Sequence, residues 1–428
     1  MTQPSPVRLP TGVRDFLPRP AARRRAIAER LLSTFEAWGY QRIITPAFEC
    51  ADVLERGLGG DARAAAIRFV EPGSGEVVAL RPDFTPQVAR LAATRLGDVG
   101  GPVRLCYDGS AHRMMATGHG AQVPREVLQA GIELVGADGV DADAEAIALA
   151  AAALGAAGLG EVQLDLGHVG LAAEAMAAVA PAAHDAVATA LTRKDRDGVA
   201  RATAGLADAD RAKLVALVEL WGPLPEVLAR AQALPWSAAA GAALVQLADT
   251  AARVAQLAPP VRLSADLGLG RGFEYYTGVR FAAFARGAAD AVARGGRYDG
   301  LVGRYGRATG AVGFAVDIEA VAVAQRAAGL ATPEPPPGVL VVGAAAPVVA
   351  AALRSAGVRA APHHAASVPP GYLAATGFHH VIDLAAATLG AVDRPGVVEI
   401  PRATIAAASA GDAQALAAIV TAVPAGAR

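Results

Sequence analysis

Residues 128–134 read LQAGIEL and place two polar residues, Gln129 and Glu133, among apolar ones. In a strand, side chains alternate between the two faces of the sheet, so a spacing of four puts Gln129 and Glu133 on the same face. A polar side chain in apolar surroundings costs free energy unless a partner or a ligand satisfies it. The stretch therefore predicts a strand with a polar site on one face.

Other clusters place polar residues in apolar or glycine-rich contexts. They are RPDFT at 81–85, Arg113 within a strand-like run, RGFEYY at 271–276 and GGRYDGL at 295–301. Together with the amide of Gln129, these clusters would bring acids, arginines and tyrosines to one sheet. Such a set of groups suits a zwitterionic amino acid as ligand.

Each cluster also has a structural interpretation. Arg81 with Asp83, and Arg297 with Asp299, could be structural ion pairs, which for isolated pairs are more common than ligand sites. The adjacent tyrosines at 275–276 are more often core and rim of a strand than ligand contacts. The paired glycines could merely allow a tight turn or a close approach of two backbones. The functional interpretation therefore depends on the combination.

The pattern along the chain predicts a mixture of strands and helices. Apolar residues at helical spacing predict a helix over 21–38, ending at Gly39. Alanine-rich helical patterns dominate 164–259 and indicate a helical insert, placed at about 168–259. Other expected elements are strands at 41–46, 67–70, 76–80, 261–267 and 275–284, helices at 211–221 and 238–257, and a helical stretch from 296 to about 329. The proline-rich segment ATPEPPPG at 331–338 predicts a linker, followed by strands at 339–343 and 381–384 and a helix at 347–356.

Charge and hydropathy exclude several classes of protein. The 428 residues carry a net charge of -1, and all basic residues except Lys194 and Lys213 are dispersed arginines. Nucleic-acid binding depends on concentrated positive charge, so we expect no nucleic-acid partner. Neither lysine follows P-loop spacing. The longest stretches without charged residues, 335–353 and 360–382, contain prolines, glycines or histidines and predict no membrane span.

The N-terminus and the cysteines bear on location and metal content. Residues 1–10 lack the charged end and apolar run of a secretory signal, which predicts a cytoplasmic protein. Cys50 and Cys106 form neither a Cys-x-x-Cys pair nor a His/Cys cluster, and the histidines show no ligand spacing. We therefore expect no metal and no cofactor.

The combined motifs resemble a known family. The sequence from LPTGVRD at 9–15 to Glu319 is similar to the catalytic core of class II histidyl-tRNA synthetases, over about three quarters of the chain. The matching elements are the first class II motif at 39–46, which builds the dimer interface, the second at Arg113 and its following loop, the histidine-specific element at 272–276 and the third motif at 313–319. Within this superfamily, ALRPDFTPQVAR at 79–90 and LDLGHVGL at 164–171 resemble regulatory subunits of ATP phosphoribosyltransferase.

The chain departs from the synthetase pattern at the positions that would hold ATP. Ala320 stands where the third motif has an arginine, and Met115 stands where the second motif has an acidic residue. The loop 118–125 lacks the glycine-arginine pair of that family, and Phe84 replaces a glycine and would further fill the site. Because losing one charge-stabilising donor costs roughly 10²–10³ in rate, these changes together predict very little adenylation.

The amino-acid side of the site is retained, and the resemblance implies a role for each residue. Asp83 and Thr85 would meet the ligand ammonium, although Asp83 replaces a glutamate. Gln129 and Arg271 would bind the carboxylate, while Glu133 and Tyr276 would bind the imidazole. The remaining candidates are Arg113, Tyr275 and Tyr298, with Tyr298 as a wall of the pocket. A pocket that binds histidine without activating it is typical of a regulator.

The sequence thus predicts an α+β protein with a class II aminoacyl-tRNA synthetase-like antiparallel sheet flanked by helices. The expected domains are a synthetase-like domain at 1–330, a linker at 331–337 and a small α/β domain at 338–428. The resemblance implies a non-catalytic regulatory subunit in the first step of histidine biosynthesis, with histidine as allosteric effector. Its expected partners are a short catalytic ATP phosphoribosyltransferase subunit in a hetero-octamer and a second copy of the chain. The alternatives are an active histidyl-tRNA synthetase and an RNA-binding paralogue.

Overall fold

The computed structural model describes residues 8–114, 125–258, 260–268, 275–332, 337–365, 367–391 and 394–423. The chain divides into two compact units, residues 1–332 and residues 333–428. Within these described ranges, no helix combines the length and the apolar character needed to cross a membrane.

The first half of the first unit alternates helices with strands. Its elements are α1 (Pro18–Ala37), β1 (Gln41–Arg42), β2 (Phe48–Cys50), α2 (Ala51–Glu55), α3 (Gly60–Ala64), β3 (Arg68–Val70), β4 (Val77–Leu80), α4 (Thr85–Arg95), β5 (Val103–His112), β6 (Glu126–Val135), α5 (Gly139–Ala156) and β7 (Val162–His168). Helix α1 buries Ile27, Leu31 and Phe35 at a spacing of four, which confirms the predicted amphipathic helix.

The second half of this unit begins with a run of helices and returns to strands. Its elements are α6 (Val169–Met176), a 3₁₀ turn (Pro181–Ala183), α7 (His184–Thr192), α8 (Arg196–Ala202), α9 (Asp208–Glu219), β8 (Trp221–Pro223), α10 (Leu224–Gln232), α11 (Ala238–Leu257), β9 (Arg262–Asp266), β10 (Val279–Ala285), β11 (Ala293–Arg297), α12 (Asp299–Val302), β12 (Ala311–Asp317) and α13 (Ile318–Ala327). The helix predicted at 238–257 has the observed bounds.

A nine-stranded mixed sheet forms the centre of the described part of this unit, in the order β1-β5-β6-β12-β11-β10-β7-β9-β8. Its neighbouring strands are antiparallel except for the parallel pairs β1 with β5 and β7 with β9. In the middle of the sheet, Glu133 of β6 aligns with Gly313 of β12, and Gly313 aligns with Gly296 of β11. On the β12 side, this register places glycines beside Glu133, whereas on the β5 side its partner is Leu105.

The two faces of β6 have different environments. Ile132 and Leu134 are fully buried in the apolar core that also contains Phe35 of α1. Glu133 points to the other face, where Thr85 at the start of α4 contacts it. The alternation predicted from 128–134 is confirmed, and it places the polar site on the face opposite α1.

Several predicted elements differ from the observed ones. The strand expected at 41–46 ends at Arg42, because the carbonyls of Thr45 and Pro46 accept from the side chains of Arg81 and Gln87 instead of a neighbouring strand. The predicted hairpin at 67–80 forms, but it belongs to a separate three-stranded sheet in the order β2-β4-β3. The sequence did not reveal that these strands leave the main sheet.

Three further boundaries were wrong. Residues 164–168 belong to strand β7 and not to the helical insert, and the strand expected at 275–284 starts at Val279. The stretch expected to be helical from 296 to 329 contains strand β12, whose sequence is AVGFAVD. A short apolar run of this kind fits a buried strand and a buried helix equally well by periodicity alone.

The second unit is a small α/β unit. Its elements are β13 (Gly338–Val342), α14 (Ala346–Ser355), β14 (Ala360–Pro362), α15 (Tyr372–Thr376), β15 (Phe378–Asp383), β16 (Thr388–Ala391), β17 (Arg394–Glu399), α16 (Arg402–Ser409) and α17 (Ala413–Ala422). Its five-stranded sheet has the order β14-β13-β15-β16-β17. The predicted strands near 339 and 381 and the helix near 347 are confirmed.

Candidate functional site

A cavity lies over strands β6, β11 and β12, on the face of the sheet that carries Glu133. Its volume is about 160 Å³, whereas one water needs roughly 10–15 Å³, so it has room for a small molecule. Seven of the nine predicted binding residues line it, namely Asp83, Thr85, Arg113, Gln129, Tyr275, Tyr276 and Tyr298. Residues from four distant parts of the sequence therefore meet at one place, as the motifs predicted.

Glu133 lies beneath the cavity and is held by three hydroxyl groups. Thr85 Oγ1 donates to Glu133 Oε1 over 2.7 Å and Tyr107 OH approaches the same oxygen at 3.4 Å, while Tyr298 OH bonds to Oε2. Its exposed fraction is 1%. Burial raises the pKa of Glu133 to about 8, although the hydroxyl donors oppose this shift. The site therefore contains a carboxyl group poised to change its charge near neutral pH.

Glycines make room for this carboxyl group. A Cβ atom at Gly313 would overlap Glu133 Oε2 and the carbonyl oxygen of Ile132, and one at Gly131 would overlap the ring of Tyr107. Neither position could carry a larger residue without displacing these neighbours. The glycines of the central strands are thus required by the close approach of Glu133 and its hydroxyl donors.

Asp83 occupies the end of the loop between β4 and α4. Its Oδ2 accepts from Tyr275 OH over 2.9 Å, and its Oδ1 lies 3.5 Å from the backbone N–H of Thr85. Burial and the charge of Asp83 raise the pKa of Tyr275, so this hydroxyl stays protonated and acts as the donor. The rings of Tyr276 and Tyr298 pack edge-on against Tyr275, with centroids 5.1 and 5.8 Å away. The carboxylate and the three rings form one wall.

Gln129 and Arg113 provide polar groups to the opposite part of the lining. Gln129 is 9% exposed, and its Oε1 has no hydrogen-bond partner among the residues that the structure describes. Arg113 follows β5 and donates from Nε to the carbonyl of Pro82 over 2.9 Å. A buried amide oxygen without a partner is costly, so this acceptor points to an N–H or O–H donor supplied on binding. The amide nitrogen of the same side chain is the group that can donate to a carboxylate.

The sequence-based hypothesis missed three charged residues of the lining, Asp290, Arg294 and Asp317. Burial raises the pKa of Asp317, and the charge of Arg113 acts in the opposite direction. Arg294 lies in the segment ARGGR of β11 and bonds to Asp290. It directly precedes the glycine pair 295–296, which belongs to a cluster named in the sequence analysis. Adjacency to that pair was a usable signal for Arg294. Asp290 lies in the loop between β10 and β11 and Asp317 at the end of β12, and neither has a distinctive sequence pattern.

Two expectations for this region were wrong. Phe84 does not line the cavity, because its ring stacks on Tyr107 with a centroid distance of 4.4 Å. Arg81 does not pair with Asp83. It donates instead to the carbonyls of Ser110, Thr45 and Pro46, and its guanidinium lies 4.0 Å from the centroid of the Phe84 ring.

Several predictions on the amino-acid and nucleotide sides of the site stay untested. Arg271, Met115 and most of the loop 118–125 lie outside the described residues. Ala320 lies in the first turn of α13, where its N–H donates to Asp317 Oδ1 over 3.0 Å. Glu319 pairs with Arg14 at 2.9 Å and with Arg24. The carboxylate of Glu319, the residue before Ala320, thus forms ion pairs with two arginines near the N-terminus.

Solved structures with this architecture identify the class of protein. The chain resembles an ATP phosphoribosyltransferase regulatory subunit/histidyl-tRNA synthetase from Bacillus halodurans, with a TM-score of 0.75 at 26% identity over 89% of this chain and 99% of that chain. A histidyl-tRNA synthetase from Nostoc sp. has the same fold, with a TM-score of 0.71 at 22% identity over 94% and 99%. The fold and site define a class II aminoacyl-tRNA synthetase-like protein, as the sequence predicted.

Sequence comparison narrows this class. A profile described as histidyl-tRNA synthetase matches residues 12–321. The ATP phosphoribosyltransferase regulatory subunit of Anaeromyxobacter dehalogenans is 44% identical over 316 residues, 73% of this chain and 89% of the relative. That of Geobacter sulfurreducens is 38% identical over 327 residues, 75% and 74% of the two chains. The chain belongs to the family of ATP phosphoribosyltransferase regulatory subunits.

Proposed function

We propose that this chain is the histidine-responsive regulatory subunit of an ATP phosphoribosyltransferase, acting in the first step of histidine biosynthesis in the cytoplasm. It binds a short catalytic subunit that makes phosphoribosyl-ATP from ATP and phosphoribosyl pyrophosphate. That subunit requires the chain for activity, and the chain conveys inhibition by histidine. The chain itself performs no chemistry. The observation that carries this proposal is a cavity with polar groups for an amino acid, in a chain that has Ala320 where the synthetase pattern has an arginine.

The cavity offers complementary groups for each part of histidine. Asp83 and Thr85 would accept from the ammonium, and the amide N–H of Gln129 would donate to the carboxylate. The resemblance also assigns the carboxylate to Arg271, which lies outside the described residues. Glu133 and Tyr276 would bind the imidazole, with Tyr298 as a wall. Thr85 already donates its hydroxyl proton to Glu133, which leaves its oxygen free to accept. Hydrogen bonds to charged groups contribute about 1.5–3 kcal/mol each, sufficient for a metabolite sensor after the cost of ordering.

The proposed assembly has two kinds of contact. Residues 39–46 correspond to the motif that builds class II dimers, and in this structure Ile44 is 90% exposed. We propose that two copies pair through this segment and that the dimers join catalytic subunits in a hetero-octamer. We also propose that residues 1–330 form the domain that carries the pocket, with its helical insert at about 168–259, and that the linker 331–337 leads to a separate domain at 338–428.

Reconstitution with a short catalytic subunit tests the function. Formation of phosphoribosyl-ATP is measured with the catalytic subunit alone, with this chain added, and with increasing histidine. We expect activity to appear only in the mixture and histidine to suppress it. Full activity of the catalytic subunit alone, or a mixture insensitive to histidine, would contradict the proposal.

Histidine-dependent exchange of pyrophosphate into ATP distinguishes the main alternative, an active synthetase. We expect no exchange, because Ala320 cannot form the paired hydrogen bonds with which an arginine holds a phosphate.

Binding of histidine-specific tRNA at physiological salt distinguishes the RNA-binding alternative. We expect it to be no stronger than nonspecific binding, given the net charge of -1.

A further inference from the structure

A series of buried and partly buried hydrogen bonds connects the helical insert with the candidate cavity. It begins at His168, the residue before α6, and passes through Gln246 of α11 and Asp143 of α5 to Arg297 of β11. None of these four side chains lines the cavity. We call this series the insert network.

The orientation of each group in the first half of the network is fixed by its neighbours. The N–H of Gly170 donates to His168 Nδ1 over 3.1 Å, so the ring proton is on Nε2. This nitrogen lies 3.3 Å from Gln246 Oε1 and donates to it. The amide nitrogen of Gln246 in turn donates to Asp143 Oδ2 over 3.2 Å. Both ends of the Gln246 amide therefore have a partner of the required polarity.

The second half of the network contains a buried ion pair. Asp143 is 1% exposed and Arg297 is 4% exposed. Arg297 Nε donates to Asp143 Oδ1 over 2.8 Å, and its Nη1 donates to Asp299 Oδ1 over 2.9 Å. Buried charges need well-formed partners, because an unpaired charge in such surroundings is strongly destabilising. Arg297 is thus held by two carboxylates, one of which also contacts the insert, and by the carbonyls of Ala137 and Gly139.

Arg297 and Asp299 connect the ion pair to two tyrosines of the cavity, Tyr298 and Tyr276. Tyr298 lies between them and lines the cavity. The carbonyl of Arg297 accepts from the N–H of Thr277 over 2.7 Å, and Thr277 Oγ1 accepts from the N–H of Asp299 over 2.9 Å. Thr277 directly follows Tyr276. A shift of the ion pair would therefore be transmitted to both Tyr276 and Tyr298 in the wall of the cavity.

We propose that Gln246 is a positioning residue through which the helical insert sets the geometry of the amino-acid cavity. The inference rests on the proposed function in that the ligand used to test it is histidine. Gln246 lies in the insert and makes its hydrogen bonds to His168 and Asp143. Its effect on the cavity is transmitted by Asp143 and Arg297 to Tyr298 and Thr277.

The test uses the full-length chain and two different interruptions of the network. Gln246→Leu removes both amide contacts at similar volume. His168→Asn keeps a side chain able to cap the N-terminus of α6 but too short to bond to Gln246. The matched control is Gln256→Leu on the same helix, where the side chain is exposed and contacts Arg253.

Calorimetric titration with histidine and amide hydrogen exchange of the ligand-free chain are the two readouts. We expect both network variants to weaken histidine binding about three- to tenfold, the range typical of residues that act at a distance. Exchange should accelerate at Thr277 and Tyr298, whose amides bond to Arg297 and Ala311, and stay unchanged in β5. Gln256→Leu should match the wild type in both measurements.

The outcomes separate the two proposals. If the wild-type chain binds histidine, and both variants have affinities within twofold of the wild type and unchanged hydrogen exchange, the positioning role of Gln246 is overturned. The proposed function is then unaffected. If the wild-type chain binds no histidine, the proposal that histidine is the effector is overturned. Hydrogen exchange at Thr277 and Tyr298 is then the measurement that tests the positioning role of Gln246. If Gln246→Leu does not fold, His168→Asn decides between these results.

Discussion

Tyr275 donates a hydrogen bond to Asp83 over 2.9 Å, and this bond joins two parts of the sequence that are 192 residues apart. The exposed fractions of the two residues are 7% and 5%. A carboxylate this deeply buried depends on its donors, since leaving it unsatisfied incurs the full desolvation penalty. The pair therefore fixes the loop that carries Thr85 against the segment that carries Tyr276.

Tyr275→Phe should lower the free energy of unfolding by about 1–3 kcal/mol, because it removes the donor and leaves the carboxylate of Asp83 buried. The double variant with Asp83→Asn should lose less than the sum of the single variants, as expected for two groups in direct contact. Urea denaturation measures these differences. Tyr305→Phe is the matched control, since its hydroxyl lies 3.4 Å from a neutral carbonyl. Strict additivity would contradict a direct interaction.

The polar residues of the site were predictable because each stands out from an apolar or glycine-rich context. Alternation alone placed Gln129 and Glu133 on one face, and the motifs supplied Asp83, Thr85 and Tyr298. Their hydrogen bonds were not predictable. Nothing in the local sequence shows that Thr85 bonds to Glu133, because this contact depends on how α4 lies across β6.

Two of the wrong expectations, the strand at 41–46 and the ion pair of Arg81 with Asp83, have a common physical origin. Arg81 and Asp83 are close in sequence and of opposite charge, which made an ion pair the natural expectation. In the structure, Arg81 satisfies backbone carbonyls at Thr45 and Pro46, and these residues therefore leave the sheet. The long-range contacts of one side chain thus account for both a shortened strand and an absent ion pair, and local sequence patterns carry no information about such contacts.

Glu133→Gln should change the pH dependence of stability in a defined direction. The folded chain keeps the Glu133 proton up to a pKa of about 8, while the unfolded chain releases it near the ordinary value of 4.5. Between these values the folded state binds more protons, so this group makes the free energy of unfolding fall as pH rises, by at most about 1.4 kcal/mol per pH unit.

Urea denaturation of wild type and Glu133→Gln at intervals between pH 5 and 8 measures this contribution, since all other titrating groups are shared. We expect the stability of the wild type relative to the variant to decrease steadily across this window. A constant or increasing difference would show that Glu133 is ionised in the folded chain throughout.

Ile44→Glu should convert the proposed dimer into a monomer. Ile44 is 90% exposed and lies in the segment that corresponds to the first class II motif, so a charge there would be desolvated by pairing at high cost. Val245→Glu on α11 is the control, because Val245 is also exposed, at 57%. Sedimentation velocity should give a monomer for the first variant and an unchanged dimer for the second. A dimer that survives Ile44→Glu would place the self-association elsewhere.

Gly313→Ala should damage the site without altering the fold. Its Cβ atom would overlap Glu133 Oε2 and a carbonyl of the neighbouring strand, and overpacking of this kind costs about 1–3 kcal/mol. Histidine binding should be lost, because Glu133 must move away from Thr85 and Tyr298. Gly300→Ala is the control, since nothing lies within 4 Å of its added atom. Thermal unfolding and calorimetric titration of both variants test this expectation. Equal histidine affinity in the two variants would refute it.

Gln129→Leu should separate ligand binding from stability. The amide of Gln129 is nine-tenths buried in the cavity lining, and its oxygen has no partner among the described residues. Replacing an unsatisfied buried amide with an apolar side chain of similar size removes a desolvation cost. The ligand-free variant should therefore unfold at the same temperature as the wild type or a higher one.

The same substitution should weaken histidine binding about tenfold or more, because it removes the amide N–H that would donate to the ligand carboxylate, and a hydrogen bond to a charged group contributes about 1.5–3 kcal/mol. Thermal unfolding with and without histidine measures both effects, since a ligand that binds only the folded state raises its stability in proportion to affinity. We expect the histidine-induced rise in unfolding temperature to shrink while the ligand-free value does not fall. A variant that loses stability and keeps its response to histidine would place the carboxylate of the ligand away from Gln129 and give the amide a purely structural role.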